Sequence, residues 1–243
     1  MKNRFCILLT ASIEPLNTIG LKRNSVFERE DDYFNALVFY LKLGIPIVFC
    51  ENSMYHSNKI LNLVTKNSDK LEYLNFKSIN SYYGKSHGEK EIFDYAHQYS
   101  EFIKTSDYVV KVTGRLIVVN ILYVINKLFA NFSEFSISSN LSRNLSYSDS
   151  RFFVYKKEFY HEYLEPILNS KLNDWERVYF EVCLAKSIHQ RLVDQSDFVL
   201  LPCYPKFIGK SGATNKSYKK KYFDHIKYKL FFIFKKYFFE HTL

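Results

Sequence analysis

Short apolar runs alternate with longer segments of helical periodicity over much of the chain. Runs of strand length occupy Phe5–Thr10, Ile45–Cys50, Leu71–Phe76, Tyr108–Thr113 and Phe198–Leu201. Apolar residues recur at helical spacing in residues 28–44, 57–67, 88–106 and 120–129, each segment following one of the first four runs. This alternation predicts an α/β fold with a mostly parallel sheet flanked by helices.

The second half of the chain is less regular. Residues 148–168 are typical of a short aromatic strand followed by a helix that ends near Pro166. Residues 173–192 predict a strong helix, which Asn173 or Asp174 would cap and which would hold Glu176 in its first turns.

Positive charge is concentrated at one end of the chain, whose formal net charge is +9. Residues 204–243 hold ten lysines against Asp224 and Glu240, whereas residues 1–203 hold 24 basic and 23 acidic residues. We therefore divide the chain into a domain of residues 1–203 and a segment of residues 204–243, comprising a flexible loop and a basic, aromatic C-terminal helix. Such a segment indicates an anionic partner: phospholipid, nucleic acid or another polyanion.

The basic segment has the pattern of an amphipathic helix. Phe223, Ile226, Leu230, Ile233, Phe234 and Tyr237 would share one face, with Lys221, His225, Lys229, Lys235 and Lys236 mostly opposite. Cations beside a bulky apolar stripe are typical of a helix lying on an anionic membrane. A packed C-terminal helix and a dimer contact remain alternatives.

Several classes of protein are disfavoured by simple patterns. The four cysteines have no CxxC spacing, so we expect free buried thiols in a reducing compartment and no structural zinc. The first apolar run spans only about seven residues, which favours a buried strand over a signal peptide. No run of about 18 apolar residues predicts a transmembrane helix.

Polar loops follow the predicted strands. Ligands of parallel α/β sheets lie at the carboxyl ends of the strands, which here point to residues 10–24, 51–57, 77–88 and 113–115. By position, Thr10, Arg23, Glu51 and Asn52 are candidates to contact such a ligand.

The stretch "VVKVTGRLIVVN", Val109 to Asn120, places two cations and a glycine at the end of a core strand. A glycine there indicates a bend or a close backbone approach, and Lys111 and Arg115 indicate an anion. The alternative is that Arg115 pairs with a core acid.

Spaced blocks from about Phe5 to Tyr218 resemble a group of bacterial glycosyltransferases found among capsule and lipopolysaccharide enzymes. The blocks are "LLTASI", "LKRN", "DYFNAL", "IVFCENS", "YGKSHGEKEIFDYA", "VVKVTGRLIVVN", "DSRFFVYKKEFY" and "YPKFIGKSGATNKSY". The resemblance implies a GT-A-like, Rossmann-like fold and a nucleotide-sugar donor. Many such enzymes hold a metal with an Asp-x-Asp motif after a central strand, where this chain has Thr113, Gly114 and Arg115.

Glycosyl transfer requires a stabilised diphosphate leaving group and an activated acceptor hydroxyl. We expect Lys111 and Arg115 to replace the metal, so no cofactor is predicted, although a divalent metal held by Asp149 and another acid stays open. Glu176 is the predicted general base with Asp149 as its rival. An Asp149–Arg151 turn pair and a solvated Glu176 are the alternatives.

Two further loops carry candidate donor contacts. Residues 84–91 run into a helix whose first amides could hold an anion, with Lys85 beside them; an ordinary capped helix is the alternative. Residues 209–218 are typical of a loop that closes over a diphosphate, with Lys210 and Ser211 as contacts; a plain linker is the alternative.

These observations, with the resemblance, predict a glycosyltransferase that moves a sugar from a nucleotide-diphosphate donor to a lipid-linked glycan acceptor in bacterial surface-polysaccharide synthesis. It would be cytoplasmic and peripheral on the inner face of the membrane. Two alternatives stay open. The basic aromatic tail could bind nucleic acid, which the near-neutral body disfavours, or the chain could be a non-catalytic partner in polysaccharide assembly.

Overall fold

The computed structural model describes residues 4–15, 21–142, 144–195 and 197–218, with Leu230, Ile233, Phe234 and Tyr237. The strands are β1 (Phe5–Ala11), β2 (Ile47–Glu51), β3 (Leu71–Asn75), β4 (Tyr108–Thr113), β5 (Ile117–Val118), β6 (Ile137–Ser139), β7 (Phe152–Lys156), β8 (Phe198–Leu200) and β9 (Phe207–Ile208). The helices are α1 (Val26–Leu41), α2 (Asn58–Lys66), α3 (Lys85–Tyr99), α4 (Glu101–Thr105), α5 (Ile121–Asn131), α6 (Lys157–Phe159), α7 (Glu165–Lys171) and α8 (Phe180–Asp194).

Seven strands form one sheet in the order β3-β2-β1-β4-β7-β6-β8. Strands β1 to β4 are mutually parallel, and β7 runs antiparallel to both β4 and β6. The carboxyl ends of β1, β2 and β4 therefore meet at one edge, in a register that pairs Thr10 with Thr113 and Ala11 with Glu51. The predicted α/β class, a mostly parallel sheet flanked by helices, is confirmed.

Each face of the sheet has its own apolar core. Alternate residues of β4 explain this division, because Val110 and Val112 pack with α1 and α5, whereas Val109 packs with α3 and α8. Lys111 lies on the same face as Val109, so its side chain enters the core beneath α3. A charged residue thus occupies a position where the pattern of the strand calls for an apolar one.

Capping residues decide where several helices in the first half of the chain begin and end. Ser57 caps α2 as predicted, with its hydroxyl accepting a hydrogen bond from the amide of Ile60 at 3.3 Å. The single helix predicted over residues 88–106 is wrong, because Ser100 ends α3 in an extended conformation and caps α4 through the amide of Ile103. The Ser100 hydroxyl donates to Glu72, a tertiary contact that stabilises the break.

Two predictions for the second half need correction. The helix predicted from Asn173 begins at Phe180, because residues 173–178 form a tight turn closed by backbone bonds between Asn173 and Val178. The helix predicted to end near Pro166 continues to Lys171 after a π-helical turn over Tyr160–Leu164. Pro166 lies in the first turn of α7, where its missing N–H costs no helical hydrogen bond.

Gly114 makes the close backbone approach that its position predicted. Its amide donates to the carbonyl of Thr10 at 2.9 Å, and a Cβ at this position would lie 2.8 Å from the same oxygen. Only glycine therefore allows β4 to end against β1, and Arg115 follows directly at the edge where the strands terminate.

Most of the predicted C-terminal helix lies outside the described residues. Leu230, Ile233, Phe234 and Tyr237 are helical, and each side chain is more than half exposed. In the described part of the chain, no helix has the length and apolar character needed to cross a bilayer. The domain boundary after residue 203 stays a prediction; β9, beyond it, pairs with β5.

Buried His97 predicts a pH-dependent stability. Its Nε2 lies 2.9 Å from the Tyr155 hydroxyl, and burial, aided by nearby His161, lowers its pKa from 6.5 to about 3. Between about pH 6 and pH 3 the unfolded chain therefore binds one more proton at this residue than the folded chain. In that range the free energy of unfolding should fall by about 1.4 kcal/mol for each unit by which the pH is lowered.

The test is urea unfolding at pH 7 and pH 5 of wild type, His97→Gln and, as a control, the exposed His56→Gln. Between these pH values, wild type should lose about 2 kcal/mol more than His97→Gln does, whereas His56→Gln should follow wild type. Equal losses in all three proteins would contradict the assignment.

Candidate active site

A cleft of about 530 Å³ opens at the carboxyl ends of β1, β2 and β4. Its walls come from the ends of these strands, the first turns of α3 and α8, residues 140–151 and residues 211–218. Of the predicted site residues, the cleft is lined by Thr10, Asn52, Lys85, Arg115, Asp149 and Ser211. The structure does not bring Arg23, Glu51, Lys111, Glu176 or Lys210 to the cleft surface.

Arg115 lines the cleft with its charge uncompensated. Its Nε donates to the carbonyl of Lys210 at 3.3 Å, and none of the ion pairs among the described residues includes it. Gly212 lies against the guanidinium, since a Cβ there would be 3.0 Å from Nη2. The alternative prediction, an Arg115 paired with a core acid, is therefore not what the described residues show.

Arg29 is a second cleft arginine, one that the sequence reasoning missed. Its guanidinium is buried and donates to the carbonyls of Ser12 and Arg23 and to the hydroxyl of Tyr33 at 3.2 Å. Burial and, to a lesser degree, the positive charge of Arg115 lower its pKa, while Tyr33 opposes them. Within the described residues no carboxylate lies within ion-pair distance of Arg29, so two close guanidinium charges face this end of the cleft.

Lys111 lies beneath the cleft rather than in it. The ammonium is wholly buried and bonds to the carboxylate of Glu89 on α3 and to the carbonyl of Ser150. Because Glu89 neutralises this charge, Lys111 ties α3 to the loop before β7 instead of facing an open site.

Asp149 forms the turn pair that was the alternative to a catalytic role. Arg151 donates to it through Nε at 2.8 Å and Nη2 at 2.5 Å, and the backbone amide of Arg151 adds a bond at 3.0 Å. The guanidinium also stacks between Phe207 and Tyr218, at 4.5 Å and 4.9 Å from their ring centroids. Burial acts to lower the pKa of Arg151, but the bond to Asp149 outweighs it and the pKa is raised.

Glu181, in the first turn of α8, is a third cleft acid beside Asp149 and Glu89. Its carboxylate accepts a hydrogen bond from the Ser150 hydroxyl at 3.0 Å, and no cation pairs with it among the described ion pairs. Partial burial and then the charge of Glu181 raise the pKa of nearby Tyr147. Glu176, by contrast, is exposed in the turn before α8, so the structure places it outside the cleft.

Arg23 and Glu51 hold the loops around the cleft. Arg23 pairs with Asp32 at 2.6 Å and with Glu28 at 3.2 Å, and it donates to Asn215 at 3.0 Å, which links residues 211–217 to α1. Buried Glu51 accepts from the amide of Ile13 at 2.9 Å and from Ser53, and burial raises its pKa.

The first turn of α3 already holds a carboxylate. Asp174 accepts from the amide of Ser86 at 3.0 Å through Oδ2, so this protein group occupies the predicted anion site and the capped-helix alternative applies. Lys85 remains at the cleft, with Nζ 5.5 Å from the centroid of the Tyr179 ring.

The residues after β4 do not fit a divalent metal. Thr113, Gly114 and Arg115 supply one hydroxyl and a cation where hard metal ions require several oxygen ligands. In the described part of the chain, His, Cys, Asp and Glu side chains form no group of three or more that could hold a metal ion. No catalytic step is therefore derived through a metal.

Comparisons with known proteins give only distant likenesses. No family profile and no curated protein matches the chain. Similar solved structures include a cytidylyltransferase from Leptospira borgpetersenii (12% identity, 93% of this chain and 93% of that chain, TM-score 0.47) and the glycosyltransferase GlyE of Streptococcus pneumoniae (10%, 83% and 46%, 0.48). A third is S. aureus TarS 1–349 in complex with UDP (10%, 84% and 59%, 0.46). Such low identities and TM-scores assign no activity to this chain.

The buried Lys111–Glu89 pair predicts an asymmetric mutational response. Glu89→Gln leaves the buried ammonium without its counter-charge and should cost roughly 2–4 kcal/mol of unfolding free energy. Adding Lys111→Met should restore part of this loss, because the double variant buries no unpaired charge. Urea unfolding of both variants measures the difference.

Glu101→Gln is the matched control, since it breaks the exposed Lys104–Glu101 pair and should change stability by less than about 1 kcal/mol. A Glu89→Gln cost no larger than this control would contradict the structural role of the pair.

Proposed function

We propose that the chain is a glycosyltransferase that transfers a sugar from a nucleotide-diphosphate donor to a glycan acceptor. One observation carries the proposal: within the described part of the chain, Arg29 and Arg115 face the cleft without a carboxylate in ion-pair distance, and Glu181 enters it without a paired cation. Two ion pairs at the cleft are each neutral overall, Lys111–Glu89 and Arg151–Asp149. The uncompensated charges match an anionic leaving group and an acceptor hydroxyl that must lose a proton.

The arginines would hold the diphosphate. Apart from the Nε–H given to Lys210, no other described residue takes a hydrogen bond from the guanidinium of Arg115, so its remaining N–H groups can bind a phosphate in bidentate fashion. Arg29 has most of its N–H groups committed to Ser12, Arg23 and Tyr33, so it acts mainly by its charge. In a site shielded from water, both charges would stabilise the negative charge that develops on the departing diphosphate.

Glu181 would act as general base. Its carboxylate is fixed by the Ser150 hydroxyl and lies on a cleft wall formed by α8. A carboxylate so placed can accept the proton of an acceptor hydroxyl as that oxygen attacks the donor sugar. Asp149, bound by Arg151 through three hydrogen bonds, has less capacity left for this role.

The remaining features of the proposal concern context. We propose that donor binding needs no metal. We also propose that the acceptor is a growing, lipid-linked surface glycan and that the protein lies peripherally on the cytoplasmic face of a membrane. The membrane location is supported by an exposed apolar face and by the lysines of this segment. The spacing of the sequence places four side chains on that face: Leu230, Ile233, Phe234 and Tyr237.

Nucleotide binding is the first test. A thermal-shift screen against UDP, GDP, CMP and ADP, each with Mn²⁺ or EDTA, should show stabilisation by one nucleotide that is unchanged in EDTA. At a ligand concentration 100 times the Kd, the gain is about 2.7 kcal/mol. Stabilisation only with Mn²⁺ would contradict the arginine site, and no stabilisation would favour the nucleic-acid or assembly-partner alternative.

Arg115→Ala should raise the Kd of that nucleotide about tenfold to a hundredfold, the range for one charged hydrogen-bonding group. Its Tm without ligand should stay close to wild type, because Arg115 forms no ion pair with any residue that the structure describes. Arg4→Ala, an exposed arginine at the opposite end of β1, is the control and should bind normally. An unchanged Kd in Arg115→Ala would remove the arginine from donor binding.

Removal of residues 219–243 should abolish binding to anionic vesicles, since each lysine near such a surface contributes roughly 1 kcal/mol. Sedimentation with vesicles containing phosphatidylserine, against neutral phosphatidylcholine vesicles, measures the effect. Truncated protein that keeps its Tm and still sediments with anionic vesicles would contradict the membrane role of the segment.

A further inference from the structure

Three large aromatic side chains stand exposed beside the cleft: Tyr82, Tyr83 and Trp175, which we call the aromatic surface. Trp175 is 69% exposed, Tyr82 56% and Tyr83 42%. The two tyrosine rings lie against each other, with centroids 3.9 Å apart. Exposed aromatic rings that are grouped rather than scattered indicate a binding surface.

A fixed contact between two chain segments holds the aromatic surface together. Gly84 has φ 147°, and a Cβ there would fall 1.6 Å from Oδ2 of Asp174, so only glycine admits the carboxylate. Tyr83 precedes Gly84 and Trp175 follows Asp174, so this contact brings together the two chain segments that carry the aromatic residues. The amide of Trp175 is itself held by Asn173 Oδ1 at 3.1 Å.

The aromatic surface adjoins the cleft. Ser81 and Lys85, on either side of the two tyrosines and Gly84, both line the cleft. The Lys85 ammonium lies over the ring of Tyr179, two residues before the cleft carboxylate Glu181. A ligand lying across the aromatic surface therefore reaches the wall of the cleft that carries Glu181.

Polar side chains without hydrogen-bond partners lie beside the rings. Among the described residues, no hydrogen-bond partner meets the hydroxyl of Ser86, which lines the cleft, or Oδ1 of Asp174. Nδ1 of His87 also lacks one, and it lies 3.7 Å from Oδ2 of Asp174. Ser86 is 1% exposed, and buried polar groups are rarely left without a bond. The ring of His87 lies 5.6 Å from that of Tyr83, so these donors and acceptors belong to the same region.

We propose that the aromatic surface, with Ser86 and His87 beside it, is a carbohydrate-binding subsite that holds the acceptor saccharide. A pyranose ring presents a face of C–H groups that packs on an aromatic ring and an edge of hydroxyls that require polar partners. Both features occur here, and the subsite leads to Glu181. The acceptor role rests on the proposed function, whereas carbohydrate binding itself can be measured without any donor.

The experiment uses the full chain and its one tryptophan as reporter. Because Trp175 is exposed, its fluorescence should change and its quenching by acrylamide should decrease when a sugar covers it. The probes are methyl glycosides of glucose, galactose, mannose and N-acetylglucosamine, with lactose, maltose and chitobiose. We expect a saturable change with at least one probe, and a response to none would overturn the proposal.

The double variant Tyr82→Ala/Tyr83→Ala retains the reporter and tests the tyrosines directly. It should raise the Kd of the responding saccharide at least tenfold while keeping the wild-type Tm. Phe27→Ala/Tyr123→Ala removes two other exposed rings and should leave the Kd unchanged. Equal affinity in both double variants would overturn the proposal, because the sugar would then bind elsewhere.

Nucleotide stabilisation of the same proteins separates the two proposals. The Tyr82→Ala/Tyr83→Ala protein should keep the full nucleotide response of wild type. A nucleotide response without any saccharide response would overturn the subsite and leave the glycosyltransferase proposal standing. Saccharide binding that depends on the tyrosines, without any nucleotide response, would support the subsite and count against glycosyl transfer.

Discussion

The buried ammonium of Lys111 sets the arrangement of the whole cleft. A charged side chain that is buried away from water in the central strand β4 is tolerated only if it is neutralised and hydrogen-bonded. Glu89 and the carbonyl of Ser150 meet this requirement from opposite sides. As a result α3 and the loop before β7, which form two walls of the cleft, are joined through one atom at its floor.

This constraint also decides which charges remain available above the floor. Glu89 lines the cleft but is neutralised by Lys111, and Asp149 is neutralised by Arg151. Among the described residues, what remains is the positive charge of Arg29 and Arg115 where β1 and β4 end, and the Lys85 ammonium and the Glu181 carboxylate where α3 and α8 begin. The ion pairs decide which charges in the cleft stay uncompensated. A substitution that breaks one pair would therefore change the electrostatic field along the cleft while leaving Arg115 and Glu181 in place.

The sequence was sufficient for β1 to β4, because apolar runs of about six residues are typical of buried strands, and β4 has the predicted limits, whereas the short strands β5, β6 and β9 were not predicted. It could not show that Lys111 is paired while Arg115 is not, since both stand at the same strand end and their partners are remote in sequence. Arg29 did leave a signal. It lies four residues before Tyr33, on the stripe of α1 that also carries Leu37, and a cation on a buried stripe requires an explanation.

The start of α8 shows why a strong local signal can mislead. Asn173 and Asp174 are good caps followed by helix-forming residues, which favour a helix from there. In the fold, Asp174 instead caps α3 through the amide of Ser86, and Asn173 closes a turn. That tertiary use of two capping residues delays α8 to Phe180, which brings Glu181 rather than Glu176 to the cleft and leaves Trp175 exposed on the turn. The contact of Asp174 with the first turn of α3 therefore accounts both for the position of the candidate base Glu181 and for the aromatic surface. A substitution that breaks this contact should disturb both features together.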